Sequence, residues 1–123
     1  MGCAIGPSYP GGGVRSLTER RAGGPTLPTL HLREAARLGG MEIAAFQELM
    51  DDLYGEADRE RGMPSTVAWL CEEVGELAQA VRKGTPDQQL HELGDVLAWL
   101  SSLANQLGLS LEDAAQRYVD TPP

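Results

Sequence analysis

The segment CEEVGEL, residues 71–77, carries Glu72, Glu73 and Glu76, and HELGDVLAWL, residues 91–100, carries Glu92 and Asp95 three apart. Like charges at helical spacing repel by roughly 0.2–0.5 kcal/mol per pair. Grouped carboxylates suit one chemistry well, that of holding a hard divalent cation. Magnesium takes a few carboxylates together with waters and substrate phosphates. For any single acidic pair a solvated face is the simpler explanation. Two features argue for more. The pairs fall at matching heights on two segments joined by a tight turn, and each shares its face with a tryptophan, Trp69 or Trp99, that gains little from standing in water.

The elements that must position these groups are helical. Ile43, Phe46, Met50, Leu53 and Ala57 recur at three- and four-residue steps, which predicts a first helix from about Met41. A second is expected from about Pro64 to Lys83, with Ser65 or Thr66 near its start and Gly84 at its end. Thr85-Pro86-Asp87-Gln88 combines an N-cap, a first-turn proline and a capping-box partner, so a third helix should run to Leu107 and stop at Gly108. Ser110 should open a short fourth helix reaching Tyr118 or Val119. No strand pattern and no internal repeat are visible.

On the second helix Val67, Leu70, Val74, Leu77, Ala78 and Val81 form an apolar arc. Trp69, Glu72, Glu73, Glu76, Ala80 and Lys83 share the opposite arc. The third helix behaves alike, with Leu90, Leu93, Val96, Leu97, Leu100, Leu103, Ala104 and Leu107 on one side and Glu92, Asp95 and Trp99 on the other. A short turn around Gly84-Thr85-Pro86 makes the two helices antiparallel. Glu73 and Glu76 then stand level with Glu92 and Asp95.

Composition bounds the rest. The chain has 123 residues, room for one small domain, and a formal charge of -8 that disfavours binding to nucleic acid. Cys3 and Cys71 are too few for a disulfide framework or a zinc site, and the cytosol is the expected compartment. No stretch approaches a membrane span. Residues 1–40 are basic and rich in Gly and Pro, whereas residues 41–123 are strongly acidic. The first forty residues are therefore expected to be a flexible leader or upstream translation from a misplaced start, with one short helix allowed from Thr29 to Leu38. The folded domain is expected over residues 41–120.

Glu72-Glu73-Val74-Gly75-Glu76 followed by Glu92-Leu93-Gly94-Asp95 resembles the EExxE…ExxD signature of the MazG-like nucleoside triphosphate pyrophosphohydrolases, and the likeness extends over about residues 42–118. The resemblance implies an all-α fold assembled as a homodimer or a dimer of dimers. It also implies Mg²⁺-dependent cleavage of a (deoxy)nucleoside triphosphate to monophosphate and pyrophosphate, with Mn²⁺ as a substitute metal. By the same resemblance Glu73, Glu76, Glu92 and Asp95 match the metal ligands, and Glu72 matches a position that orients or deprotonates the attacking water. Lys83 is the candidate phosphate contact and Trp99 the aromatic lining a nucleotide pocket. Both have plain structural alternatives, a helix C-terminal cation and a buried interface aromatic. Arg59 and Arg61 are candidates to reach phosphates from another subunit, and His91 is expected to be solvated. Relatives often carry further basic residues and an Asn after the fourth helix. Here only Arg117 is available, so triphosphate binding is expected to be weaker or organised differently.

Four helices, one of them short, make a thin core, so a small helical bundle completed by homo-oligomerisation is expected. The leading function is nucleotide-pool house-cleaning. The alternatives are a phosphoribosyl-ATP pyrophosphohydrolase, an all-α dUTPase, or a non-catalytic helical oligomerisation module.

Overall fold

The computed structural model describes residues 39–122 together with His31, Arg33 and Glu34. The short helix expected at Thr29–Leu38 falls largely outside the described residues. Within them the chain is all-helical, with four α-helices and no strand: α1 (Ile43–Arg61), α2 (Met63–Lys83), α3 (Pro86–Leu107) and α4 (Leu111–Asp120).

The ends of the helices follow local chemistry. Gly62 separates α1 from α2 at φ 83°, ψ 158°, a region of backbone space that only glycine occupies without strain. Its N–H donates to the Asp58 carbonyl at 2.9 Å. Pro64 then sits in the first turn of α2, where its missing N–H costs nothing. The capping box at the start of α3 forms as the sequence predicts: the Gln88 N–H donates to Thr85 Oγ1 at 3.3 Å, and the Thr85 N–H donates to Gln88 Oε1 at 2.8 Å. Gly108 ends α3 in the left-handed region at φ 67°, with the Leu109 N–H returning to the Ala104 carbonyl at 3.0 Å. Ser110 caps α4 by accepting from the Asp113 N–H at 3.1 Å.

Helices α2 and α3 pack along their length as an antiparallel hairpin, and α1 lies against α3 and, less extensively, α2. The core is formed by Leu49, Met50, Ala98 and Trp99, with Phe46, Leu53, Tyr54, Trp69 and Leu70 packed around it. Burial of a side chain such as Leu49 or Met50 is worth about 1.5–3 kcal/mol. Ala98, Ser101, Ser102 and Ala104 are also buried on α3. Side chains this small allow neighbouring helix axes to approach closely. Helix α4 has no fully buried residue; it packs lightly on α1, and one amide ties its start to that helix. Gln47 Nε2 donates to the Leu109 carbonyl at 2.7 Å and to Asn105 Oδ1 at 2.9 Å, while Gln47 Oε1 accepts from the Leu111 N–H at 2.9 Å.

Of the apolar arcs of α2 and α3, Leu70 packs against this core and Ala104 is buried, but most of the rest is not covered. Val67, Val74 and Val81 are exposed, as are Leu90, Leu93, Leu97, Leu100 and Leu107, with Leu90 at 71% and Leu97 at 45% exposure. It is the opposite side of the hairpin, with Trp99, Ala98 and Ser102, that is buried in the protomer. Thr66 is fully buried on the same seam, away from any capping role, and accepts from Gln106 Nε2 at 2.7 Å.

Candidate metal centre

The seam between α2 and α3 carries the carboxylates. Glu73 projects from the middle of α2, and Glu92 and Asp95 from successive turns of α3. One carboxylate oxygen from each of these three lies within 4.8 Å of the other two, and all three residues are half-buried. Such spacing brings three negative groups to a common point. Of the four carboxylates expected at matching heights, these three bring oxygens to a common point. Glu76 is exposed and lies outside this group of three, but its carboxyl is close enough to Glu92 for the two to interact directly.

The electrostatics record the crowding. Burial raises the Glu73 carboxyl most, and the neighbouring charges of Asp95 and Glu76 add to it. A hydrogen bond from Trp99 opposes them, and the net position is about 6. Glu76 is also raised, first by partial burial, then by the charges of Glu92, Glu72 and Asp95. Proximity of like charges disfavours ionising all of them at once, and a bound cation removes that penalty.

The donor set fits a divalent metal. It is all oxygen, as magnesium and manganese prefer. Glu92 Oε2 is buried with no hydrogen-bond partner in the protein. Leaving a buried acceptor unsatisfied costs about 1–3 kcal/mol, and more for a charged group, so an acceptor in this state points to a cation as its missing partner.

The surroundings of Glu73 are specific. Trp99 Nε1 donates to Glu73 Oε1 at 3.1 Å. The Trp99 ring is 1% exposed, stacks on Trp69 with centroids 5.9 Å apart and planes 12° from parallel, and carries the Arg61 guanidinium 4.9 Å from its centroid. Trp99 thus meets the carboxylate from within the core and presents no open face to a pocket. Arg61 packs on its own protomer. Arg59 pairs with Asp51 at 3.0 Å on the surface.

The remaining candidates are more peripheral. Glu72 is exposed next to Glu73. Lys83 is exposed at the last position of α2, seven residues beyond Glu76 and so roughly 10 Å further along the helix. His91 is exposed as expected, yet one helical turn brings its Nε2 to 3.4 Å from Asp95 Oδ2. The support of Glu73 by Trp99 and Arg61 is what sequence reasoning missed. The available signal was the placement of Trp99 on the same arc as Asp95, one turn on.

Comparison with known proteins bears on the same residues. The family model described as the MazG nucleotide pyrophosphohydrolase domain matches residues 61–120, which include α2, α3, α4 and every carboxylate of the cluster. The chain is similar to two Bacillus subtilis (strain 168) proteins. It is 32% identical over 95 residues to "Uncharacterized protein YvdC", covering 63% of this chain and 90% of that protein. It is 38% identical over 88 residues to "Uncharacterized protein YpjD", covering 57% of this chain and 79% of that protein.

Proposed function

This chain belongs to the MazG nucleotide pyrophosphohydrolase domain family, and we propose that it hydrolyses (deoxy)nucleoside triphosphates to nucleoside monophosphate and pyrophosphate in a Mg²⁺-dependent reaction. The observation that carries this reading is the convergence of Glu73, Glu92 and Asp95 oxygens, with Glu92 Oε2 buried and without a hydrogen-bond partner. Glu73, Glu92 and Asp95 would hold the metal, with Glu76, next to Glu92, as the fourth carboxylate. A Mg²⁺ or Mn²⁺ ion held there would neutralise phosphate charge and lower the pKa of a water.

The chain's own groups do the rest. Hydrolysis between the α and β phosphates needs in-line placement of a water and of the leaving pyrophosphate, with little covalent work by the protein. Glu72, beside the cluster and open to solvent, takes the role of orienting or deprotonating that water. Trp99 acts through Glu73 by holding one of its oxygens. This role replaces direct contact with the base, because a ring so deeply buried offers no face to a ligand. Lys83 meets the outer phosphates of an extended triphosphate. The net negative charge of the chain does not repel such a substrate once metal has reversed the sign of the local field.

A second copy of this chain completes the bundle. The exposed residues Leu90, Leu93, Leu97 and Leu100 of α3 fall at alternating steps of three and four, the spacing of a helix-packing seam, with Leu107 exposed two turns further on. A row of exposed leucines on one helix face is the kind of surface that marks association, and the protomer core beneath is thin.

The test is pyrophosphate release from a panel of standard and modified dNTPs and NTPs, with and without Mg²⁺, products being separated by chromatography. Metal-dependent formation of monophosphate and pyrophosphate is expected. Silence across the panel from folded protein would overturn the enzymatic reading in favour of a non-catalytic helical module. A panel response confined to dUTP or to phosphoribosyl-ATP would narrow the substrate class instead.

A further inference from the structure

The last turn of α1 holds a charged pair that the carboxylate chemistry does not itself use. Asp58 is 2% exposed, and its Oδ1 accepts from Arg61 Nη1 at 2.6 Å. A buried ion pair is a poor device for stability, because desolvating two charges offsets most of their attraction. A geometric role accounts for it better. The turn at Gly62 fixes where α1 ends, and the pair to Asp58 fixes where the Arg61 guanidinium lies. That place is over the Trp99 ring, at a distance where cation and π face attract. Trp69 stacks on the same indole. With its ring held by both neighbours, Trp99 directs its N–H at Glu73 Oε1.

The chain of contacts therefore runs from Asp58 through Arg61 and Trp99 to a carboxylate of the cluster. We propose that Asp58 and Arg61 are positioning residues for the metal centre: they fix the Trp99 indole, and through it the orientation in which Glu73 binds a divalent cation. The inference rests on reading the cluster as a metal site. Arg61 ligates nothing, yet metal affinity depends on it. Partners that orient a ligand from outside the coordination sphere typically change affinity by about 10–100-fold when removed.

Manganese binding to the full-length protein, without nucleotide, reads this directly. Free Mn²⁺ is followed by electron paramagnetic resonance for the wild type, Arg61→Met, Arg61→Lys, Asp58→Asn and the core variant Leu49→Ala. The fold is checked by circular dichroism, and nucleotide turnover is measured alongside. Arg61→Met and Asp58→Asn are expected to raise the Mn²⁺ dissociation constant by about 10-fold or more. Arg61→Lys, which keeps a cation over the ring, should recover to within about threefold of wild type. If Arg61→Met does not fold, Arg61→Lys and Asp58→Asn decide. An unchanged Mn²⁺ affinity in the folded variants overturns the proposal, and an unchanged affinity with a raised KM would make Arg61 a substrate contact instead. Equal weakening by Leu49→Ala also overturns it, because general loosening of the core would then suffice. A wild type that binds Mn²⁺ but turns over no nucleotide removes the enzymatic reading while the variants still decide the positioning role. A wild type that binds no Mn²⁺ removes both.

Discussion

The two sides of the α2–α3 hairpin solve different problems with the same pair of helices. The side toward α1 is assembled from Trp99, small residues and polar groups, and several of those polar groups are placed by a neighbour: Thr66 by Gln106, Glu73 by Trp99. The far side is a plain stripe of valine and leucine, left open by the protomer. Specific contacts fix atoms in position, which a reaction centre needs. Aliphatic contacts are non-directional, which would suit the proposed association of copies, where nothing has to be aimed. The difference teaches that the helix face richest in hydrophobic residues is not the one that organises the protomer.

Substitutions on the two sides should therefore differ in kind as well as size. Trp99→Ala removes the largest buried side chain and is expected to destabilise the fold by about 3–5 kcal/mol, read by thermal or urea unfolding. A loss below about 1 kcal/mol would mean that the inward side is not the true core. Glu73→Gln should lower turnover by about 100-fold or more, equivalent to about 2.7 kcal/mol of transition-state stabilisation, while the metal-free protein keeps or gains stability. An active Glu73→Gln enzyme would separate the cluster from the chemistry. Gly62→Ala forces a side chain into a backbone region it tolerates poorly and should cost about 1–3 kcal/mol.

On the outward side, Leu97→Glu should change the stability of an isolated protomer by no more than about 0.5 kcal/mol, as surface substitutions do. It should nevertheless reduce the mass measured by light scattering to that of one chain. Persistence of the larger species would show that the stripe is not where copies meet. The smallest effect is that of pH on the metal-free protein. Glu73 titrates near 6 when folded, above its ordinary 4.5, so the folded state binds the proton more tightly than the unfolded state. Stability should rise as pH falls from about 7 through 6 toward 4.5, and saturating Mg²⁺ should abolish the trend. The shift is modest because Glu73 is only partly buried, and solvent screening reduces it further. A stability curve that falls over the same window would contradict the crowding of carboxylates.

Much of the fold was legible because it is written in local rules. Thr85 and Gln88 announce the start of α3, and Gly108 its end, through hydrogen bonds within four residues of each other. The gathering of Glu73, Glu92 and Asp95 was legible too, since a tight turn makes positions equidistant from it neighbours. The division of faces was read correctly from the 3.6-residue period, but its meaning was not. Periodicity separates an apolar face from a polar one, without saying which of them the rest of the chain covers. Nor could spacing reveal that Gln47, far away in the chain, pins α4, or that Arg61 stops on the ring of Trp99.

The sequence by itself determined the helices, their limits, their antiparallel register and the set of acidic residues facing one another, because each follows from interactions between residues close in the chain or symmetric about a turn. Only the tertiary structure decided which side of the hairpin α1 would cover. That choice buried Trp99, set its N–H on Glu73, lifted the Glu73 carboxyl to about 6 and left Glu92 Oε2 without a partner. The physical reason is that desolvation and packing depend on everything that arrives around a group, and those neighbours come from segments whose distance along the chain carries no trace of their distance in space.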